Sequence, residues 1–144
     1  MATTATLTLT SSDIAGDPVN VSKTTTCTKA GGTIDLDQST GMNRILLRET
    51  TNKLLLGATA GGNDLSAKVY LINKATDPTQ YVTVTINAQT IGKLYAGDWM
   101  FFPWSQTDTS ADIEVAATSY TTAGGAIPIE YCLFHEDSIR LADA

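Results

Sequence analysis

An all-β, single-domain antiparallel β-sandwich is the fold class this 144-residue sequence predicts, on three observations. Thr makes up one residue in six of the chain, and β-branched Thr favours a pleated surface and disfavours helix. Apolar residues recur with a period of two in short stretches, and no window of helical length carries a sustained i, i+3, i+4, i+7 stripe. About nine or ten such stretches follow one another every 10 to 12 residues or so, with turn residues between them, which is the pattern of a sandwich or barrel. The count admits the eight strands of a jelly roll. No repeat or linker divides the chain, so one domain over residues 1–144 is expected, with an extended arm at 1–12 and a polar tail at 135–144.

The strands are read in order. Residues 5–10 alternate Leu7 and Leu9 with Thr, as a first strand or an arm that becomes a strand on a partner. Gly16-Asp17-Pro18 is a turn. Residues 19–28 form a second strand and 33–37 a third, through Ile34 and Leu36. After a loop at 38–43, the stretches 44–49 and 53–58 read as a hairpin joined by Thr50-Thr51-Asn52. Residues 67–73 oppose Val69 and Leu71 to Tyr70 and Ile72.

The most informative stretch is 81–104. Val82, Val84 and Ile86 alternate with Tyr81, Thr83 and Thr85, a half-buried strand. A short turn at Asn87-Ala88-Gln89 returns the chain through Ile91 to Tyr95, and Ala96-Gly97-Asp98 turns it again. Residues 99–104 are then apolar at every position, so both faces of that strand should be covered. Pro103 places it at a sheet edge, because Pro cannot donate to a ladder on both sides. Strands at 112–118 and 127–134 complete the set.

Composition narrows the function classes. The net charge is −6 and the nine Lys and Arg residues are spread thinly, whereas a nucleic-acid binder concentrates them on one patch. No segment approaches the ~20 consecutive apolar residues of a spanning helix, and the N-terminus has neither the basic nor the apolar region of a secretory signal. Expression in a reducing cytoplasm is therefore expected, with Cys27 and Cys132 as two buried thiols. Asn20-Val21-Ser22 matches a glycosylation sequon, which has no meaning without secretion.

Catalytic and metal chemistry find little support. The lone histidine, His135, stands beside Glu136 and Asp137 where the last strand runs out, a solvated position poorly suited to a base. One His and two remote Cys make no zinc site. Asp35, Asp37 and Ser39 have the spacing of a calcium loop, but Thr40 stands where that loop needs Gly and Leu46 where it needs Glu. A polar turn is the expectation there. Glycosidase carboxylates on separate strands are neither indicated nor excluded. No catalytic, cofactor or metal site is expected, and no enzyme activity.

Aromatic residues offer a surface instead. Tyr95, Trp99, Met100, Phe102 and Trp104 are the candidate interface residues. Alternation puts Trp99 and Phe101 on one face of their strand and Met100, Phe102 and Trp104 on the other. One face must fill the core, and the other is then an apolar patch that a soluble monomer would rarely expose. Trp99→Ala is expected to unfold the domain if its face is core, and Trp104→Ala to leave a folded protein that assembles poorly.

The stretch VYLINKATDPTQYVTVTI, then IGKLYAGDWMFFPW, a polar loop, ADIEV, and the ending IEYCLF resemble small structural proteins of tailed bacteriophages, especially marine ones. The similarity covers about half the chain and is anchored on residues 92–104. The resemblance implies a β-rich virion component. Its size is similar to that of capsid decoration, or cement, proteins, many of which are trimeric. The implied partners are further copies of the chain and the major capsid protein, on the capsid surface, without direct contact to nucleic acid. The alternative is a tail or fibre module that binds a host glycan through Trp104 and residues 105–108.

Overall fold

The computed structural model describes residues 3–14, 17–28, 35–57, 66–105, 111–118 and 125–136. They form strands and no helix: β1 (Thr4–Ile14), β2 (Asp17–Thr26), β3 (Gln38–Ser39), β4 (Asn43–Leu47), β5 (Lys53–Leu56), β6 (Ser66–Asn73), β7 (Tyr81–Ile86), β8 (Gln89–Tyr95), β9 (Trp99–Ser105), β10 (Ile113–Ala117) and β11 (Ile127–His135). The chain is an antiparallel β-sandwich. One sheet runs β5-β10-β7-β8; the other runs β3-β11-β6-β9, with β4 also pairing β11. From β4 onward the chain changes sheet at every connection except the β7–β8 hairpin. Eight of the strands thus lie in two sheets ordered 4-11-6-9 and 5-10-7-8, the strand order of a jelly roll.

The core lies between the sheets and follows the predicted alternation. Val69, Leu71, Ile129 and Leu133 face it from one sheet, and Val82, Val84, Ile113 and Val115 from the other. Each is excluded from water, and burial of such a side chain stabilises by about 1.5–3 kcal/mol.

Asn73, at the end of β6, is a buried polar residue whose groups are all used. Its Nδ2 donates to the Leu94 carbonyl of the opposite sheet at 2.9 Å, and its Oδ1 accepts the Ala75 N–H at 2.9 Å. Its backbone N–H donates to the Asp98 carbonyl, and its own carbonyl accepts the Gly97 N–H. The turn that launches β9 is therefore bolted to the end of β6. Gly97 sits there at φ 87°, a conformation that favours glycine.

Two expectations, a hairpin and the start of the tail, are corrected. Segments 44–49 and 53–58 are not a hairpin: β4 pairs β11 and β5 pairs β10, in different sheets. Alternation says which face of a strand is buried, and both strands do bury one, through Leu47 and through Leu55 and Leu56. It does not say which neighbour completes the ladder. Of the two readings of residues 5–10, the first strand is the one seen: β1 pairs β2 in a ribbon from Thr4↔Thr26 to Ile14↔Asp17. The tail does not begin at His135, which is half-buried within β11, and the Glu136 that follows is fully buried. Residues 137–144 lie outside the described residues, as do the loop at 60–64 and the segment 106–110. Of the third predicted strand, residues 33 and 34 lie outside the described ones; Asp35 forms an isolated bridge with Thr28, and Leu36 is buried beside it. The edge position of the strand carrying Pro103 is as expected: among the described residues β9 pairs β6 alone.

Candidate interaction surface

Register decides the two faces of β9. Phe102 stands opposite Val69 and Met100 opposite Leu71, both inward residues of β6. Met100 and Phe102 pack against the core, and Trp104 is part of it, 4% exposed. Its indole N–H donates to the Ala111 carbonyl at 2.8 Å. Three of the five candidate interface residues are thus core, because their alternation phase matches Val69 and Leu71. The face of Trp99, Phe101 and Pro103 points away from the core, and Trp99 is 52% exposed.

The outer face of this sheet is built in cross-strand rows. Phe134, Lys68 and Pro103 form one row; Cys132, Tyr70 and Phe101 the next; Glu130, Ile72 and Trp99 the third. The Phe101 and Phe134 rings stand 6.3 Å apart, tilted at 60°, a favourable geometry for an aromatic pair. At its far end the face turns polar, where Glu130 meets Arg44 at 3.9 Å.

The base of the N-terminal ribbon is seated near this face. The Thr3 carbonyl accepts the Cys27 N–H, the Cys27 carbonyl accepts the Leu36 N–H, and Thr3 N–H donates to the Leu36 carbonyl. Cys27, Leu36 and Cys132 are buried yet stand apart from the cluster between the sheets. Both thiols are free. Burial pushes the Cys27 thiol up, against the opposing pull of the Lys68 ammonium.

Between ribbon and sheet runs a groove of about 810 Å³. Its floor is Lys68, Tyr70, Trp99, Phe101, Pro103 and Phe134, and one wall is residues 3–7. The ribbon itself is two-faced. Leu7, Leu9, Val19 and Val21 share one side, and Thr6 and Thr24, whose hydroxyls lie 2.9 Å apart, share the other. Leu7, Leu9 and Val19 are exposed.

Tyr95, the remaining candidate, lies on the outer face of the other sheet and is 43% exposed. Its ring meets Tyr81 at 5.0 Å, and the Lys93 ammonium lies 4.5 Å from the centre of the Tyr81 ring. Tyr95 and Trp99 therefore belong to different surfaces. Sequence reasoning did not place Tyr70 or Phe134 in a site, although it read residues 5–10 as an arm able to add a strand on a partner. The signal for the first two was their phase: each alternates with inward residues, and each is large and apolar where an outward residue is usually polar.

His135 Nδ1 lies 2.8 Å from the Glu136 carbonyl oxygen. Among the described residues no three His, Cys, Asp or Glu gather into a group that could hold a metal ion, and no helix is long and apolar enough to cross a membrane. What the surface can offer is apolar contact, strand pairing and two ammonium groups. In comparisons with known proteins, the chain matches no family model, and no curated protein matches it significantly.

Proposed function

We propose that the protein is a structural component of a phage virion, a capsid decoration protein that docks on the outside of the head as an oligomer, a trimer in the simplest case, and clamps neighbouring subunits of the shell. The observation that carries this reading is the outer face of the β11-β6-β9 sheet. It sets Tyr70, Trp99, Phe101 and Phe134 side by side away from the core, on a scaffold whose inter-sheet interior is already filled. Contiguous apolar surface of this kind marks an interaction site on a soluble protein. The sequence resemblance of residues 68–104 to phage structural proteins points the same way. Each copy can bind modestly, because many copies on one lattice add their contacts.

The test is direct. Purified protein mixed with empty heads should bind at regular lattice positions visible by cryo-EM, and should raise the temperature at which the heads disrupt. A protein that stays monomeric and does not bind heads would overturn the reading. The glycan-binding alternative loses its anchor, since Trp104 is buried; label on tails together with hits on a glycan array would revive it through another surface.

A further inference from the structure

We propose that the groove between the N-terminal ribbon and the sandwich receives an extended, acidic strand of a partner protein, which adds to the free edge of β1 and lays alternate apolar side chains on the aromatic floor. The proposal deepens the decoration reading and rests on it only in taking the strand to come from a shell protein.

The wall supplies the first observation. β2 lines the groove with every second residue, Lys23 and Thr25, as a strand that presents a face does, whereas β1 lines it with residues 3–7 in succession. β1 therefore presents its side as well as its face. Among the described residues β1 pairs only with β2, in a sheet of two strands. In an antiparallel pair every second residue directs its N–H and C=O away from the partner strand. From Thr4 onward those groups border the groove, a template for one more strand.

The floor supplies the second. Trp99, Phe101 and Pro103 recur at a spacing of two along β9. Same-face side chains of an extended segment are about 6.5–7 Å apart, the same repeat. A strand paired to β1 would therefore meet the floor in phase, with its polar side chains turned outward.

Charge supplies the third. The chain carries −6 overall, yet the charged residues among the described lining are both lysines, Lys23 and Lys68. Positive charge is concentrated where the apolar floor is exposed. An incoming carboxylate is favoured there and an incoming ammonium is repelled, which selects partner and register. Two lysines offer few phosphate contacts, and a strand edge alternates donors and acceptors in the pattern of another strand, so a peptide strand is the better occupant.

The test is selection of peptides of about ten residues from a random display library on the purified full chain, followed by fluorescence anisotropy with the selected peptides. Enriched sequences should alternate apolar and polar residues and carry Asp or Glu. Lys68→Glu and Phe101→Ser should each weaken them by about tenfold or more. Both positions lie on the outer face, so both variants should keep the wild-type circular dichroism and melting profile. N-methylation of alternate backbone amides in the peptide should abolish binding. The proposal is overturned if enriched peptides are basic, if they bind the two variants as well as wild type, or if no groove-dependent peptide emerges. It is also overturned if Phe101→Ser dissociates a wild-type oligomer, because a second copy would then fill the groove. None of these readouts involves heads. A protein that passes them but fails to bind heads removes the decoration reading, and one that decorates heads equally well with Phe101→Ser removes the groove.

Discussion

Trp104 and Trp99 differ by five positions and belong to one strand, yet their replacement should have opposite consequences. Trp104 is buried and its indole N–H is satisfied by the Ala111 carbonyl. Trp104→Ala leaves a cavity between the sheets, at about 3–5 kcal/mol for an aromatic truncated in a core. Loss of the hydrogen bond leaves the carbonyl without its donor and adds about 1 kcal/mol. Against a total of about 5–15 kcal/mol for a domain, the variant should be marginal, with a melting temperature about 10–20 °C lower. Trp99 is half-exposed and belongs to the groove floor, so Trp99→Ala should cost less than about 1 kcal/mol, as surface changes do. It should instead weaken binding to the partner. Urea denaturation followed by circular dichroism, alongside a head-binding assay, separates the two. An equal or larger loss of stability in Trp99→Ala would refute the assignment of β9's faces.

Asn73→Ala should destabilise by about 2–4 kcal/mol in denaturant titration, since it strips partners from the Leu94 carbonyl and the Ala75 N–H. Asn73→Asp should rescue little, because a carboxylate cannot donate to Leu94. Asn87 and Ala88 hold φ of 52° and 59° in the two-residue β7–β8 turn, the mirror-image turn that favours Asn-Gly. Ala88→Gly should therefore raise stability by about 0.5–1 kcal/mol, visible as a melting temperature a few degrees higher. Cys27 and Cys132 are buried and should react with a thiol reagent far more slowly in the native protein than in denaturant. The Cys27 thiol is held above its ordinary value by burial. Its neutral form thus contributes stability that is complete below the ordinary thiol pKa of about 8.5 and is lost as pH rises through the folded value. Urea midpoints should fall above that pH, less steeply in Cys27→Ser.

Much of the fold was legible because alternation is a local property. The period of two at Tyr81–Ile86, Ser66–Asn73 and Ile127–His135 marks strands whatever they pair with, and Pro103 announces an edge by chemistry alone. Pairing is not local. Residues 44–49 and 53–58 look like a hairpin because they are close in sequence, while the partners that complete their ladders, β11 and β10, are far away. The same gap decided the candidate site. The sequence of β9 shows that both faces are apolar, but only its register on β6 shows that Lys68 stands opposite Pro103 and Val69 opposite Phe102. A charged neighbour marks the outward face, so Trp99 is outside and Trp104 inside. The groove was out of reach for a further reason: it lies between a ribbon and a sheet, and no single stretch of sequence contains it.

The pairing of β4 with β11 bears on timing. Ile127 faces Leu47, 80 positions earlier in the chain, and closing a loop of that length costs about 4 kcal/mol in chain entropy before any contact repays it. The β1–β2 ribbon closes over far shorter separations. As the chain leaves the ribosome at about 5–20 residues per second, the ribbon can zip up seconds before β11 exists. The groove's floor needs β11 laid against β6, so the wall is ready long before the floor. A nascent or truncated chain thus displays a strand edge but no seat for a partner. On the proposed groove, a partner strand would therefore find its seat only once β11 is in place.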